Sequence, residues 1–336
     1  MTIAINHRHI LARLREFDEA YRTSPLVAAP QLAKRLGVAE IYLKDESTRP
    51  LGSFKSLGGT FAGLEAIAAS GENVRMLVCA SDGNHGLAVA SAARHAGLPA
   101  KVFLHPDVAA GRVRRIAETG AEIVVVQGTF DDAVRQAAIA AEVEGAVLIA
   151  DTSDDVDDAV TGHVLAGYGV IAGETREQYE AERFTPPTHL FIQAGVGGLV
   201  AALARGLHTF MDQPAKIVTI EPENAACVRR ALEVGHPETV PGDLDTCASM
   251  LSCGRASAPA LKILRECGAS AIGVSETDLM AAPKLLEETC GLVTTPSGAA
   301  GLAGLVHALG DPKLADAFQL DANSRVLLVV SEGPQE

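Results

Sequence analysis

The sequence predicts an α/β protein built on parallel sheets with helices on both faces. Three observations carry this. Short apolar runs rich in β-branched residues recur along the chain, and each is bounded by turn residues. Each is followed by a helical pattern, the alternation that builds α/β folds. The runs are also apolar almost without interruption, as expected of strands buried on both faces.

In chain order the runs are IYLKDE (41–46), RMLVCAS (75–81), KVFLHP (101–106), AEIVVVQG (121–128) and AVLIADTS (146–153). Then come HLFIQAG (189–195), KIVTIEPE (216–223), AIGVSE (271–276) and RVLLVVSEG (325–333). The strands between 75 and 153 are closely spaced and predict a small separate sheet. FTPPTH (184–189) breaks a long helical stretch before the next strand. The acidic run DDVDD, Asp154 to Asp158, reads as a helix N-terminus, where carboxylates suit the dipole, rather than as a metal site.

Composition bounds the function. The chain has 336 residues, which implies one large or two modest domains. Its formal net charge is −14 and it shows no basic stripe; GRVRR at 111–115 reads as a solvated face, which argues against nucleic acid as a partner. No apolar run approaches the ~20 residues of a membrane span. The start, MTIAINHRHI, lacks a signal-peptide pattern, so a cytoplasmic enzyme is expected. None of the six cysteines forms CxxC, so buried free thiols are expected rather than zinc, with a Cys227–Cys253 pair left open.

Four motifs carry chemistry. SFKSLGG (53–59) opens a helical run; alone, Lys55 reads as a solvated lysine at a helix start. SDGNHG (81–86) is a tight turn with a carboxylate, Asp82, which would repel an anionic ligand unless a cation is also held there. QAGVGGLVAALARG (193–206) is a strand ending in a glycine cluster that opens a helix, an arrangement that aims free N–H groups at an anion. It lacks the last glycine of the dinucleotide fingerprint, where Val200 stands, and no GKS or GKT follows. An NAD-linked oxidoreductase and a P-loop protein are therefore disfavoured. In TTPSGAAGL (294–302), Ser297 reads by default as a helix cap.

In this order the four motifs resemble the fold type II (tryptophan synthase β-like) pyridoxal-phosphate enzymes, over nearly the whole chain from KDES (44–47) to the last strand. The resemblance implies an α/β fold of two doubly wound sheets, with a large cofactor-binding domain (1–74 plus 156–336) and a smaller inserted domain (75–155). It implies pyridoxal 5'-phosphate as cofactor and a homodimer. Lys55 is then the lysine that holds the cofactor covalently, and Asn84 hydrogen-bonds the ring 3′-oxygen. Gly195, Val196, Gly197, Gly198 and Leu199 cradle the phosphate, and Ser297 faces the pyridine nitrogen. A neutral Ser there weakens the electron sink relative to an Asp, which suits β-elimination better than transamination.

Typical serine and threonine dehydratases of this fold carry Ser at the position of Asp82. Asp there resembles the diaminopropionate ammonia-lyases. So do LIADTS (148–153), which makes Asp151 the second active-site carboxylate, and PGDLDTCASMLSCG (241–254). Read alone, Asp151 is a helix cap. In the resemblance Lys55, Asp82 and Asp151 are catalytic, and a carboxylate can hold the β-ammonium of 2,3-diaminopropionate by a charge-assisted hydrogen bond. The implied reaction is elimination of D- or L-2,3-diaminopropionate to pyruvate and ammonia. Alternatives are a serine/threonine dehydratase or racemase, a lyase for another β-substituted alanine, and a non-catalytic cofactor-binding protein. The chain departs from the family in DDVDDAVTGHVLAGYG (154–169) and in having no Trp, so its lid differs. The divalent-cation site of some relatives is incomplete: Glu221 is present, but Cys227 stands where an acidic ligand is expected. No metal requirement is expected, with monovalent-ion activation open.

Overall fold

The computed structural model describes residues 7–334, apart from Asp82, Asp107, Thr129 and the side chain of Glu72. The strands are β1 (Leu26–Ala28), β2 (Glu40–Asp45), β3 (Met76–Ala80), β4 (Ala100–Leu104) and β5 (Glu122–Val125). They continue with β6 (Ala146–Leu148), β7 (His189–Gln193), β8 (Lys216–Pro222), β9 (Ser270–Val274) and β10 (Arg325–Val330). The nine apolar runs each hold one strand. The additional strand, β1, is three residues long and lies between Pro25 and Pro30, too short to show a period. The helices that matter below are α1 (Lys55–Ser70), α2 (Asn84–His95), α3 (Ala159–Glu182), α4 (Gly198–Leu207), α5 (Cys227–Val234), α6 (Ala258–Glu266) and α7 (Pro296–Gly310).

The described chain forms two units, one of residues 7–22 and 49–170, the other of residues 23–48 and 171–334. The first holds a four-stranded sheet in the order β5-β4-β3-β6, parallel throughout. Val78 pairs with both Lys101 and Leu148, and Val78, Ala80, Phe103, Ala133 and Ala137 form its core. This sheet lies within the 75–155 segment expected to form the smaller domain. The unit itself is wider, because α1 packs on α2 and the first half of α3 packs on α1. The latter contact is backbone-close: a Cβ on Gly167 would lie 2.7 Å from both Gly58 Cα and Leu57 O. Two glycines distant in sequence, Gly58 and Gly167, thus join the first half of α3 to this unit.

The second unit holds a six-stranded sheet in the order β1-β2-β10-β7-β8-β9, parallel except for the antiparallel β1. Phe191, Val218, Ile220, Leu302, Leu305, Val326 and Leu328 belong to its core. Two polar clusters are buried inside it. Gln193 Nε2 donates to Val329 O (3.1 Å), Gly298 O (3.1 Å) and Ser331 Oγ (2.7 Å), fixing the end of β7. Lys44 Nζ donates to Ser24 O (2.8 Å), Glu174 Oε2 (3.0 Å) and Gln178 Oε1 (2.8 Å), while Ser24 Oγ donates to Glu46. Lys44 and Glu46 of the KDES motif therefore serve a buried ion network, which is tolerated only because its members are paired. Among the described residues, no helix is long and apolar enough to cross a membrane.

Candidate active site

In the first unit, Lys55 is the first residue of α1, and its Nζ donates a short hydrogen bond to Asp151 Oδ2. Asp151 follows β6, and its side chain is almost fully buried; that of Lys55 is 23% exposed. Burial by itself would raise the Asp151 carboxyl. The Lys55 ammonium, then His85 once acid has charged it, then the hydrogen bond from Lys55 outweigh it and hold the group at about 2. Neither residue keeps its bland reading. Lys55 is an ion-paired lysine rather than a solvated one. Asp151 is not a cap, since the helix after it starts at Ala159 and Asp158 Oδ1 accepts from Thr161 N (2.6 Å) instead. DDVDD is thus a helix N-terminus at its last residue.

Aromatic rings flank the lysine. Lys55 Nζ lies 5.5 Å from the Phe54 centroid and 6.0 Å from that of Tyr168, and the two rings meet edge-on at 4.9 Å. Tyr168 is buried, and its hydroxyl makes no hydrogen bond of normal geometry among the described residues. A Cβ on Gly58 would lie 2.3 Å from Tyr168 Cε1, so only glycine leaves room for the ring. His85 is buried too: Nε2 donates to Ile149 O at 2.8 Å, and Nδ1 has no partner among the described residues. Burial, opposed by Asp151, lowers the His85 pKa, so the ring is neutral and Nδ1 carries no proton. Asn84 starts α2 and is buried beside it. The turn before α2 is fixed by Ser81 Oγ, which accepts from Gly83 N (2.8 Å) and Gly86 N (2.7 Å). Asp82, proposed from the sequence as a catalytic carboxylate, lies outside the described residues.

In the second unit, β7 ends at Gln193, and the glycine cluster leads into α4. Gly197 takes φ +96°, a left-handed conformation that side chains resist, and no side chain caps the helix. The first N–H groups of α4 thus have no intrahelical acceptor and are available to an anion. Ser297 lies in the first turn of α7 and is not its cap: Thr295 Oγ1 accepts from Gly298 N at 3.0 Å. Pro296 at the first helical position accounts for this, since it places the cap one residue earlier. Ser297 Oγ instead accepts from Met250 N (3.1 Å), which leaves its proton for another acceptor. Glu221 is fully buried and accepts from Val228 N and Arg229 N, both at 2.7 Å, at the start of α5. Burial, against those donors, pushes its carboxyl up to about 8. No disulfide joins any of the six cysteines, so the Cys227–Cys253 pair does not form, and Cys227 Sγ donates to Gly195 O at 3.4 Å.

Each unit by itself carries a feature at home in a cofactor enzyme of the α/β class: a paired, partly buried lysine in the first and an uncapped glycine-rich helix start in the second. A family model described as "Pyridoxal-phosphate dependent enzyme" matches residues 17–332, and the chain belongs to that family. It is 31% identical to the diaminopropionate ammonia-lyase of Salmonella typhimurium, over 93% of this chain and 85% of the relative. The Escherichia coli K12 enzyme of that name is 30% identical over the same shares. The structure is similar to Escherichia coli diaminopropionate ammonia-lyase in complex with an aminoacrylate-PLP azomethine intermediate: TM-score 0.85, 27% identity, 97% of this chain and 88% of that one. It is also similar to a threonine deaminase from T.th., with TM-score 0.80, 28% identity and 98% of each chain. The fold is therefore that of the fold type II enzymes.

The residues fit pyridoxal phosphate. The uncapped start of α4 suits a phosphate dianion, and the Ser297 hydroxyl has a proton for a ring nitrogen. Buried hydroxyls of Ser53, Ser56 and Thr60, on and beside the first turns of α1, have no partner among the described residues. Orphaned groups of this kind are costly in a core and mark a site that expects a polar ligand. His85 and Tyr168 were not foreseen from the sequence. The adjacency of His85 to Asn84 was the available signal for the first; Tyr168 had only its place between Gly167 and Gly169.

Proposed function

We propose that the protein catalyses pyridoxal-phosphate-dependent α,β-elimination of 2,3-diaminopropionate, D or L, to pyruvate and ammonia. The observation that carries this is the Lys55–Asp151 pair: a buried carboxylate, rather than a hydroxyl, stands at the amine of the reactive lysine. The relatives named above support the same reading.

When bound, pyridoxal phosphate supplies the electron sink that makes a substrate Cα–H acidic. In this reading Lys55 holds it, Asn84 meets its 3′-oxygen, Gly195, Val196, Gly197, Gly198 and Leu199 take its phosphate, and Ser297 meets its ring nitrogen. Lys55, once neutral, takes the Cα proton on one face. Asp151 or Asp82 takes it on the other, which gives access to the opposite enantiomer. An ionised Asp151 also binds the β-ammonium by a charge-assisted hydrogen bond. Desolvation of the buried carboxylate strengthens that contact, and the same burial keeps water from the reacting carbon.

We propose a homodimer on the resemblance to fold type II enzymes, and a cytoplasmic location on composition. No divalent metal is required in this reading, because both oxygens of Glu221 are engaged by backbone N–H groups. Activity lost to a chelator and restored by magnesium would refute that. The similarity to threonine deaminase favours one alternative, a serine/threonine dehydratase on the same fold. The purified protein loaded with cofactor decides between them. Diaminopropionate should be turned over with a higher kcat/KM than serine or threonine; a preference for threonine, with ketobutyrate as product, would establish the alternative.

A further inference from the structure

Tyr168 has three properties that a plain core residue does not need. It is buried to 1% exposure, yet its hydroxyl makes no hydrogen bond of normal geometry. Two helices give up side chains to admit it: Gly58 has no room for a Cβ against the ring, and the neighbouring Gly167 none against α1. A Phe would fill the same space without the cost of a buried donor that finds no well-formed acceptor among the described residues. Its ring centroid also lies 6.0 Å from Lys55 Nζ, the atom hydrogen-bonded to Asp151.

The surroundings say what such a donor is for. Asp151 is ionised chiefly because the Lys55 ammonium stands against it, with burial working the other way. Whenever the Lys55 nitrogen is neutral, that support is lost and burial favours a protonated Asp151. Of the other groups around the carboxylate, His85 on α2 has its Nε2 proton committed to Ile149 O and its Nδ1 bare. Cys79 on β3 is a fully buried thiol pushed above its ordinary range by burial and then by Asp151, so it stays neutral and a weak donor. The Tyr168 hydroxyl on α3 feels, after the dominant effect of burial, the charges of Lys55 and Asp151 and a loose hydrogen bond with Lys55, a partner it loses when that nitrogen turns to substrate or cofactor.

We propose that Tyr168 is a positioning residue of the reaction: its hydroxyl is the donor that keeps Asp151 ionised, and so able to accept a proton or a β-ammonium, when Lys55 is not charged. The role rests on the proposed use of Asp151, but not on the identity of the substrate.

The test compares the wild-type holoenzyme with Tyr168→Phe and Tyr168→Gln. The visible cofactor band is titrated with pH in the absence of substrate, the acid limb of kcat/KM is measured with substrate, and thermal midpoints are recorded. Without the hydroxyl, the Asp151 carboxylate loses a donor and favours a proton on the neighbouring Lys55 nitrogen. In Tyr168→Phe the band midpoint should therefore move up by about half a unit to one unit, the worth of one hydrogen bond. The acid limb should move up with it, at an unchanged or higher thermal midpoint. Tyr168→Gln, which retains a donor, should return the band midpoint toward wild type. A Tyr168→Phe midpoint equal to wild type overturns the proposal. So does failure of Tyr168→Phe to fold or hold cofactor, because the hydroxyl would then be structural. The spectral titration needs no substrate, so a wild-type protein inert toward diaminopropionate would refute the substrate reading alone.

Discussion

Replacing Asp151 with Asn tests the ion pair at the centre of the site. The perturbation removes one charge and leaves the Lys55 amine with a neutral partner. A carboxyl held at about 2 instead of its ordinary 3.8 corresponds to about 2.5 kcal/mol in favour of the charged, folded form at neutral pH. Both side chains are well under one third exposed, so solvent screening removes little of this. The assay is chemical denaturation of the cofactor-free protein followed by far-ultraviolet circular dichroism, since the chain has no Trp to report. A cycle of Asp151→Asn, Lys55→Met and the double variant should give a coupling of about 2 kcal/mol at pH 7. The sign of the pH dependence follows from a depressed carboxyl. The stabilisation is complete above the unfolded value near 4 and is lost as pH falls toward 2, being about half gone at pH 3. A coupling below about 0.5 kcal/mol, typical of an exposed pair, would refute the reasoning, as would a coupling that does not weaken below pH 4.

Three further outcomes follow from the geometry. Gly58→Ala gains about 1 kcal/mol of helix propensity but drives a methyl to 2.3 Å from the Tyr168 ring, so the net should be a loss of about 1–2 kcal/mol, read as a lower thermal midpoint. Ser297→Ala removes the hydroxyl that accepts from Met250 N and the donor proposed for the ring nitrogen; cofactor affinity should fall about 5–30-fold by equilibrium dialysis, and an unchanged affinity would remove Ser297 from the site. Asp158→Ala deletes the cap of α3 and should cost about 1 kcal/mol in denaturant titration.

The fold was legible because parallel strands announce themselves. Val326, Leu327, Leu328, Val329 and Val330 need no alternation when both faces are covered, and each run of this kind became a strand. β1 had no such signal in three residues. The limits of the first unit were hidden for a different reason. They depend on the Gly58–Gly167 approach, a contact between distant positions that no local period encodes. The cap of α7 was legible and misread: Pro296 pointed to Thr295, not Ser297. The site divides in the same way. Lys55 and the glycine cluster are local motifs, whereas the Lys55–Asp151 hydrogen bond spans 96 positions; the resemblance named both residues as catalytic but did not foresee their pairing. Tyr168 and His85 come beside Lys55 and Asp151 by packing, which composition and spacing do not report.

The central claim, elimination of an amine from Cβ, is tested most directly by product stoichiometry. Cofactor-loaded protein is given D- or L-2,3-diaminopropionate, and pyruvate and ammonia are measured together. Two ammonia molecules are expected for each pyruvate, one from Cβ and one from hydrolysis of the released enamine. Release of pyruvate from serine with none from either enantiomer of diaminopropionate would contradict it.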